Sequence, residues 1–449
     1  MIYITGVILT VIGILLFVFI IFFHEFGHFI AAKKCGVKVN EFSIGMGPMI
    51  FHFKKGETKY SLRLFPIGGY CAMEGEDEDS SDPRAFKSVK TYKQMIIVIA
   101  GAVMNIVLGF ILMFTLLIQE PVLPSVTVDS FPELSFSANS GLKSGDKILK
   151  INGTSIVSSR DISYAVQTTE LKTVDGSELK VYKEDCCVEL YRTYVEYVNA
   201  KYTEYSQIPQ KITDTIEEYA EKINASETKE EAYELYKEGF SVLNGEFDIT
   251  DAEPAQITEK QERQRYCADI VVMRNGEKVE LSDVHFYTYK NEDDTIGVAI
   301  DFYVEPLEKN FVNLMSQTFK QTVSTVKTIW AGLVGIVQGK FGINDVSGPI
   351  GAASAIAQVT SQGLENGFVS GLNNLIFMMM VISVNLGIVN MLPFPALDGG
   401  RFLILFIEAV RGKPMPQKYE AYINAAGLIF LLLLMAVISV KDIWMIIRR

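Results

Sequence analysis

Cysteine and histidine are scarce in this chain of 449 residues, and the scarcity narrows its chemistry. The five cysteines, Cys35, Cys71, Cys186, Cys187 and Cys267, form no C-x-x-C pair. A zinc site built on thiolates is therefore not expected. Cys186 and Cys187 are neighbours, and a bridge between neighbours is strained. Either could pair with Cys267 in an oxidising compartment, or all could stay as thiols. Positive charge is short as well: 41 Lys and Arg stand against 53 Asp and Glu, a net charge of -12. That balance argues against a nucleic-acid partner. The first residues lack a basic stretch and a small-residue cleavage site, so the opening apolar run is expected to stay as a transmembrane helix. No inverted repeat is visible, which speaks against a transporter.

What is abundant is apolar sequence, 49% of all residues. Four long stretches stand out: residues 4–23, continuing to about Ala32; 95–118; 374–392; and 426–440, extendable through Trp444 and Ile447. Each approaches the ~20 residues that a spanning helix needs. Lysine and arginine cluster between the first two stretches, from Lys33 to Lys93, and between the last two, at Arg411, Lys413 and Lys418. Both loops then read as cytoplasmic, with the N-terminus and residues 120–373 outside. Arg448 and Arg449 run against this scheme.

The first stretch ends in His24-Glu25-Phe26-Gly27-His28. Residues four apart share a helix face, so the two imidazoles can grip one Zn²⁺. Glu25 lies where it can take a proton from an activated water. Ionisable residues in such a helix are costly and by default functional. Two histidines leave a catalytic zinc one protein ligand short. Asp398 is the outstanding candidate, within Asn390-Met391-Leu392-Pro393-Phe394-Pro395-Ala396-Leu397-Asp398-Gly399-Gly400-Arg401. Broken backbone at membrane depth is tolerated where it lines a cavity. Asp398 could also cap a helix over residues 401–410, a role compatible with ligation.

After the first helix, Ile50–Phe53, a Lys55-Gly56-Glu57 turn and Lys59–Leu64 alternate as a β-hairpin beside the membrane, ended by Pro66 and Gly68-Gly69. His52 in this hairpin reads as structural, since it has no partner at ligand spacing. Residues 119–304 form the extramembrane part. Ser140 to Gly153 resembles the G-L-x-x-G-D-x-I-x-x-I-N-G core of a PDZ domain, residues 160–168 its groove helix and 269–280 its closing strands. Between them lies an insertion, about 172–268, rich in Glu, Lys and Tyr and helical in pattern. It reads as solvated decoration or as the seat of an extracytoplasmic partner. Residues 306–340 pattern as an amphipathic helix, with Phe311, Met315, Phe319, Val323, Val326 and Trp330 near one face, able to lie along the outer surface.

With H-E-F-G-H on the first span, N-x-x-P-x-P-x-L-D-G on the third and a PDZ-like segment between spans two and three, the chain resembles the site-2 protease family of intramembrane zinc metalloproteases. It is most similar to the bacterial members that cut anti-sigma factors. The resemblance implies one zinc on His24, His28 and Asp398, with Glu25 as general base. It implies that Asn390 touches the substrate backbone. Gly101 and Asn105 in the second span match the family's G-x-x-x-N and take packing and polar-contact roles, Asn105 toward substrate. Gly68-Gly69-Tyr70 matches its membrane-associated hairpin.

The expected architecture is a polytopic α-helical membrane protein of about four transmembrane helices, with a membrane-associated β-hairpin and an extracytoplasmic α+β PDZ-like domain carrying a helical insertion. Residues 1–118 hold helices one and two with the hairpin, 119–304 the PDZ-like domain, 305–373 amphipathic surface helices, and 374–449 helices three and four. The expected activity is hydrolysis of single-pass membrane proteins, such as a pre-trimmed anti-sigma factor or remnant signal peptide, in a bacterial plasma membrane, with the active site toward the cytoplasm. A helical substrate hides its carbonyls, so it must unwind. The 50–64 hairpin offers an edge for strand addition, with Tyr60, Leu62 and Leu64 as contacts. The alternatives are a non-catalytic PDZ adaptor in the membrane, and a membrane-anchored zincin acting on non-membrane substrates. An adaptor would be expected to lose the metal motif, which is intact.

Overall fold

The structure is a computed structural model that describes residues 2–76, 80–132, 135–201, 210–247, 254–257, 262–290, 296–339, 342, 348–365 and 367–448. Parts of the expected insertion (202–209, 248–253 and 258–261), of the 305–373 segment (340–341, 343–347 and 366) and Arg449 lie outside the described residues.

In chain order, α1 (Ile2–Cys35) leads to β1 (Val39–Lys55) and β2 (Thr58–Met73), then a 3-10 turn at Phe86–Ser88 and α2 (Thr91–Leu117). There follow β3 (Leu123–Ser130), α3 (Phe136–Asn139), β4 (Lys147–Ile151), β5 (Thr154–Ser155), α4 (Ser159–Gln167) and β6 (Leu171–Asp175). Next come α5 (Leu179–Lys201), α6 (Gln210–Ala225), α7 (Lys229–Phe247), β7 (Glu262–Arg274), β8 (Glu277–Phe286), β9 (Thr288–Lys290), β10 (Ile296–Val298) and β11 (Tyr303–Leu307). The chain closes with α8 (Phe311–Val337), α9 (Pro349–Glu365), α10 (Phe368–Asn390), α11 (Asp398–Arg411) and α12 (Gln417–Arg448). It divides into two units, Met1–Pro121 with Asn310–Arg449, and Val122–Lys309.

The first unit is helical. Within it Leu15–Cys35, Thr91–Leu117, Phe368–Asn390 and Lys418–Met445 are long and apolar enough to cross a membrane. Their exposed faces stay apolar, as at Phe19, Val107, Ile111, Leu433 and Val440. A face with that composition is stable against lipid and not against water. The reverse polarity marks α8. Its buried side is Gln317, Thr318, Gln321 and Thr322, while Phe311, Phe319 and Trp330 are exposed. The helix packs on α2 and α10. Helix α8 thus packs in the helical unit through polar side chains, and its apolar residues face outward.

The β1–β2 hairpin is also more than its sequence pattern suggests. Ser43 pairs with both Ser61 and Tyr70, and Ile44 with both Leu62 and Gly69. Leu62 pairs in turn with Phe51, and Tyr60 with Phe53. Both long strands bend back on themselves, so the sheet has four segments in the order 69–73, 39–46, 58–65, 49–55.

The second unit holds an antiparallel sheet in the order β11-β3-β4-β7-β6, with β5 on β4 and β8 on β7. Its core is Ile148, Ile151, Ile162, Val166, Ile270, Val272 and Phe286, with α4 packed on it. At the start of helix α4 the Asp161 carboxylate accepts the backbone N–H of Ser158 at 3.0 Å, and the Asp161 N–H donates to the Ser158 carbonyl at 3.1 Å. The expected insertion begins and ends in this sheet, because β6 pairs with β7 from Leu171–Tyr266 to Asp175–Glu262. Its helical part is a bundle of α5, α6 and α7 with a core of its own, including Cys186, Leu190, Ile216, Tyr219, Ile223 and Tyr236. Buried ionic contacts join bundle to sheet: Glu184 accepts from Arg265 Nε at 3.0 Å and lies 3.1 Å from His285 Nδ1. All five cysteines are free thiols. Burial pushes Cys186 up to about 12 and Cys267 up to about 11.

Candidate active site

Helix α1 carries His24, Glu25 and His28 in its C-terminal third, and both histidines are buried. Asp398 arrives from the far end of the sequence. Helix α10 stops at Asn390, where Pro393 and Pro395 cannot continue it. Ala396 takes a left-handed φ of 72°, and Leu397 returns to extended backbone before α11 opens at Asp398. This reversal delivers the carboxylate to α1. Asp398 Oδ2 lies 3.2 Å from His24 Nε2 and 3.4 Å from His28 Nε2, and the two Nε2 atoms are 3.2 Å apart. Among the described residues this is the one group of metal-donor side chains close enough to share an ion.

The triangle fits zinc. Tetrahedral zinc with bonds of about 2.0–2.1 Å requires ligand atoms about 3.3–3.4 Å apart, close to all three measured edges. Asp398 Oδ2 is buried without a hydrogen-bond partner of its own, as an atom reserved for a metal would be. Three protein ligands leave the fourth position open, the pattern of hydrolytic zinc sites.

The far side of each imidazole is also fixed. His28 Nδ1 lies 2.8 Å from the Ile97 carbonyl. A carbonyl only accepts, so Nδ1 carries the hydrogen and the neutral ring keeps its lone pair on Nε2. His24 Nδ1 lies 3.2 Å from the Asn105 side-chain amide, whose oxygen is buried and unpaired. The oxygen and nitrogen of an amide exchange by a half-turn. That half-turn sets Asn105 Oδ1 against His24 Nδ1–H, satisfies the orphan and frees His24 Nε2. Outer contacts of this kind orient metal-binding histidines. Asn105 is fully buried. The structure places its side chain against His24 Nδ1, on the other side of the ring from the Nε2 that faces Asp398.

Close approach of α2 makes these contacts possible. A Cβ on Gly101 would stand 2.3 Å from His28 Nε2 and 2.8 Å from His24 Cε1. Asn390, half-buried at the end of α10, brings its amide within 3.3 Å of His24 Nε2. On the other side, a Cβ on Gly69 would stand 3.2 Å from Glu25 Cγ, so the backbone of the 69–73 segment passes directly beside Glu25.

The structure places the three expected strand contacts on an inner segment of this sheet. Tyr60, Leu62 and Leu64 belong to the 58–65 segment, which is bonded on both sides and has no backbone groups free for another strand. Tyr60 is half-buried against Phe29, Phe42 and Phe53, while Leu62 and Leu64 are exposed. The outer segments are 49–55 and 69–73, and the second adjoins the site. Ile97 was beyond sequence reasoning, because it contributes a backbone carbonyl and no side-chain signal.

Comparison with known proteins agrees with this geometry. The family model "Peptidase family M50" matches residues 12–434. The chain belongs to peptidase family M50. This is the site-2 protease family. Among its curated relatives is the regulator of sigma-W protease RasP of Bacillus subtilis, 30% identical over 96% of this chain and 97% of the relative. The zinc metalloprotease RasP of Bacillus licheniformis is likewise 30% identical, over 96% and 97%. The M50 chain described here is a zinc metalloprotease, zinc is its cofactor, and its four long apolar helices fit a lipid bilayer.

Proposed function

We propose that this M50 enzyme is an intramembrane endopeptidase that cuts single-pass membrane proteins in or at the edge of their transmembrane segment. His24, His28 and Asp398 hold the zinc, and Glu25 is the general base. The observation that carries this reading is the 3.2–3.4 Å convergence of donors from α1 and α11, with both histidines inside the apolar span Leu15–Cys35. When bound, zinc lowers the pKa of a coordinated water and polarises the scissile carbonyl. Glu25 takes the proton of the attacking water and hands it to the leaving amine. Asn390 donates its amide to a backbone oxygen of the unwound substrate. Glycine at 69 leaves the 69–73 edge open, and an extended substrate segment adds to it as a further strand across Glu25.

Lysine and arginine bias supports a cytoplasmic location for the 33–93 and 411–418 loops, which puts the Val122–Lys309 unit outside the cell. The antiparallel sheet and α4 support a PDZ-like core there, with the α5–α7 bundle as an addition. The name of the Bacillus subtilis relative, regulator of sigma-W protease, supports a membrane-bound anti-sigma factor as substrate. The test is to map the cut. A purified single-pass substrate, trimmed outside, is digested in detergent and its products are weighed by mass spectrometry. The reading expects new termini within or at the border of the apolar span. Cuts confined to water-exposed segments would replace it with a membrane-anchored zincin.

A further inference from the structure

We infer that Glu76 and Arg401 form a positioning pair that fixes the helix carrying Asp398 relative to the strand edge beside Glu25. The inference rests on the proposed zinc ligands and substrate edge. Neither residue belongs to the ligand triangle, and the chemistry above does not use them.

Glu76 stands just past the end of β2. One of its carboxylate oxygens, Oε2, accepts the backbone N–H of Met73, the last residue of the open 69–73 edge, at 3.2 Å. The other, Oε1, accepts from Arg401 Nη1. Arg401 is three residues beyond Asp398 on α11, so both project from neighbouring positions on one helix face. Its own N–H makes the first hydrogen bond of that helix, to the Leu397 carbonyl at 3.2 Å. The guanidinium also lies 4.8 Å over the ring of buried Phe86, whose N–H donates to the Glu74 carbonyl at 2.7 Å. Arg401 is thus held from two sides by the segment that follows the edge strand.

Helix α11 needs such an anchor. It opens at Asp398 with no side-chain cap on its first turn, so the residue that must hold the metal sits on an end prone to fray. The Glu76–Arg401 contact fastens that turn. Because the same carboxylate grips Met73, it also sets the offset between the metal ligand and the edge along which substrate lies. Offsets of this kind are exacting: about 1 Å of misplacement can cost about 10²-fold in rate. Both side chains are mostly buried, which shields the pair from screening.

The test uses the full-length protein in detergent, as wild type, Glu76→Gln, Arg401→Lys and the double variant. Four quantities are read: the zinc dissociation constant by competition with a chromophoric chelator, the visible spectrum after cobalt substitution, and kcat and KM on a transmembrane-span substrate. Contacts behind a metal ligand are worth about 10–100-fold in affinity or activity. Each single variant should weaken zinc about tenfold or more, shift the cobalt spectrum and lower kcat about 10–100-fold, with KM nearly unchanged. The double variant should be no worse than the worse single. Wild-type zinc affinity and kcat in both singles would overturn the inference. So would additive losses in the double, or a change in KM alone, which would make Glu76 a substrate contact. A wild type that binds zinc but cuts no span substrate would end the proposed function. The zinc and cobalt measurements would still decide the pair.

Discussion

Replacing Gly101 with alanine puts one methyl group where the structure has no room for it. The new Cβ would lie 2.3 Å from His28 Nε2, 2.7 Å from His28 Cε1 and 2.8 Å from His24 Cε1. Unstrained contacts of this type start near about 3.5 Å, so His28 must retreat by about 1 Å or α2 must move off α1. Zinc sites hold their distances to within about 0.2 Å, and the first response therefore breaks the ligand set. The second opens a packed interface at a cost of about 1–3 kcal/mol. Gly101→Ala is expected to lose at least about tenfold in zinc affinity and about a hundredfold in kcat. Gly109→Ala is the control. Its Cβ would meet Val384 Cγ2 at 2.4 Å on the same helix, away from the ligands. It should lower the melting temperature yet keep one zinc per chain. Zinc is counted by atomic emission on purified protein, and activity is followed on a fluorescent span substrate. If Gly101→Ala keeps its zinc and cuts within threefold of wild type, the close approach of α2 to the histidines is wrong.

Asn105→Ala should weaken zinc about 10–100-fold, whereas Asn105→Asp, which keeps an acceptor for His24 Nδ1–H, should lose less; equal losses would contradict the acceptor role. In the second unit, burial holds the Asp301 carboxyl up at about 6, against the N–H groups of Phe136 and Ser137 that pull it down. Its folded pKa exceeds the unfolded value of about 3.9, so the native state binds more protons between these values and stability falls as pH rises through that window. Asp301→Asn should remove that fall, worth about 2 kcal/mol between pH 4 and 7, as read by hydrogen exchange of the unit in the full chain. Cys186 and Cys267 should resist maleimide labelling in the folded protein at pH 7.5 and react after denaturation, since burial raises both thiols.

The parts of this protein that were legible in the sequence are those set by local chemistry. A run of about 20 apolar residues has one stable placement, so the four long helices follow from composition. His24 and His28 declare their shared face by spacing alone. Asp398 could be singled out because a carboxylate beside two prolines and two glycines is costly in a membrane unless it is used. What the sequence hid is set by partners distant along the chain. The alternation through residues 50–64 identifies strands but not which strands flank them. The doubled pairing of Ser43 and Leu62 puts 58–65 inside the sheet and leaves 49–55 and 69–73 at its edges. The contact of Asn105 with His24 Nδ1 joins two residues far apart along the chain and leaves no local signal. Periodicity shows that α8 has two faces, and only its packing on α2 and α10 shows that the polar one turns inward. The insertion lost its outer turns to the sheet because β6 and β7 pair across it.

The most direct test of the central claim separates holding the metal from using it. Wild type and Glu25→Gln are purified side by side, their zinc content is measured, and each is given the same trimmed single-pass substrate. The account predicts one zinc per chain in both proteins, cleavage by wild type that a zinc chelator stops, and none by the variant. Cleavage by zinc-loaded Glu25→Gln at the wild-type rate would contradict it, because the proton would then travel through some other group.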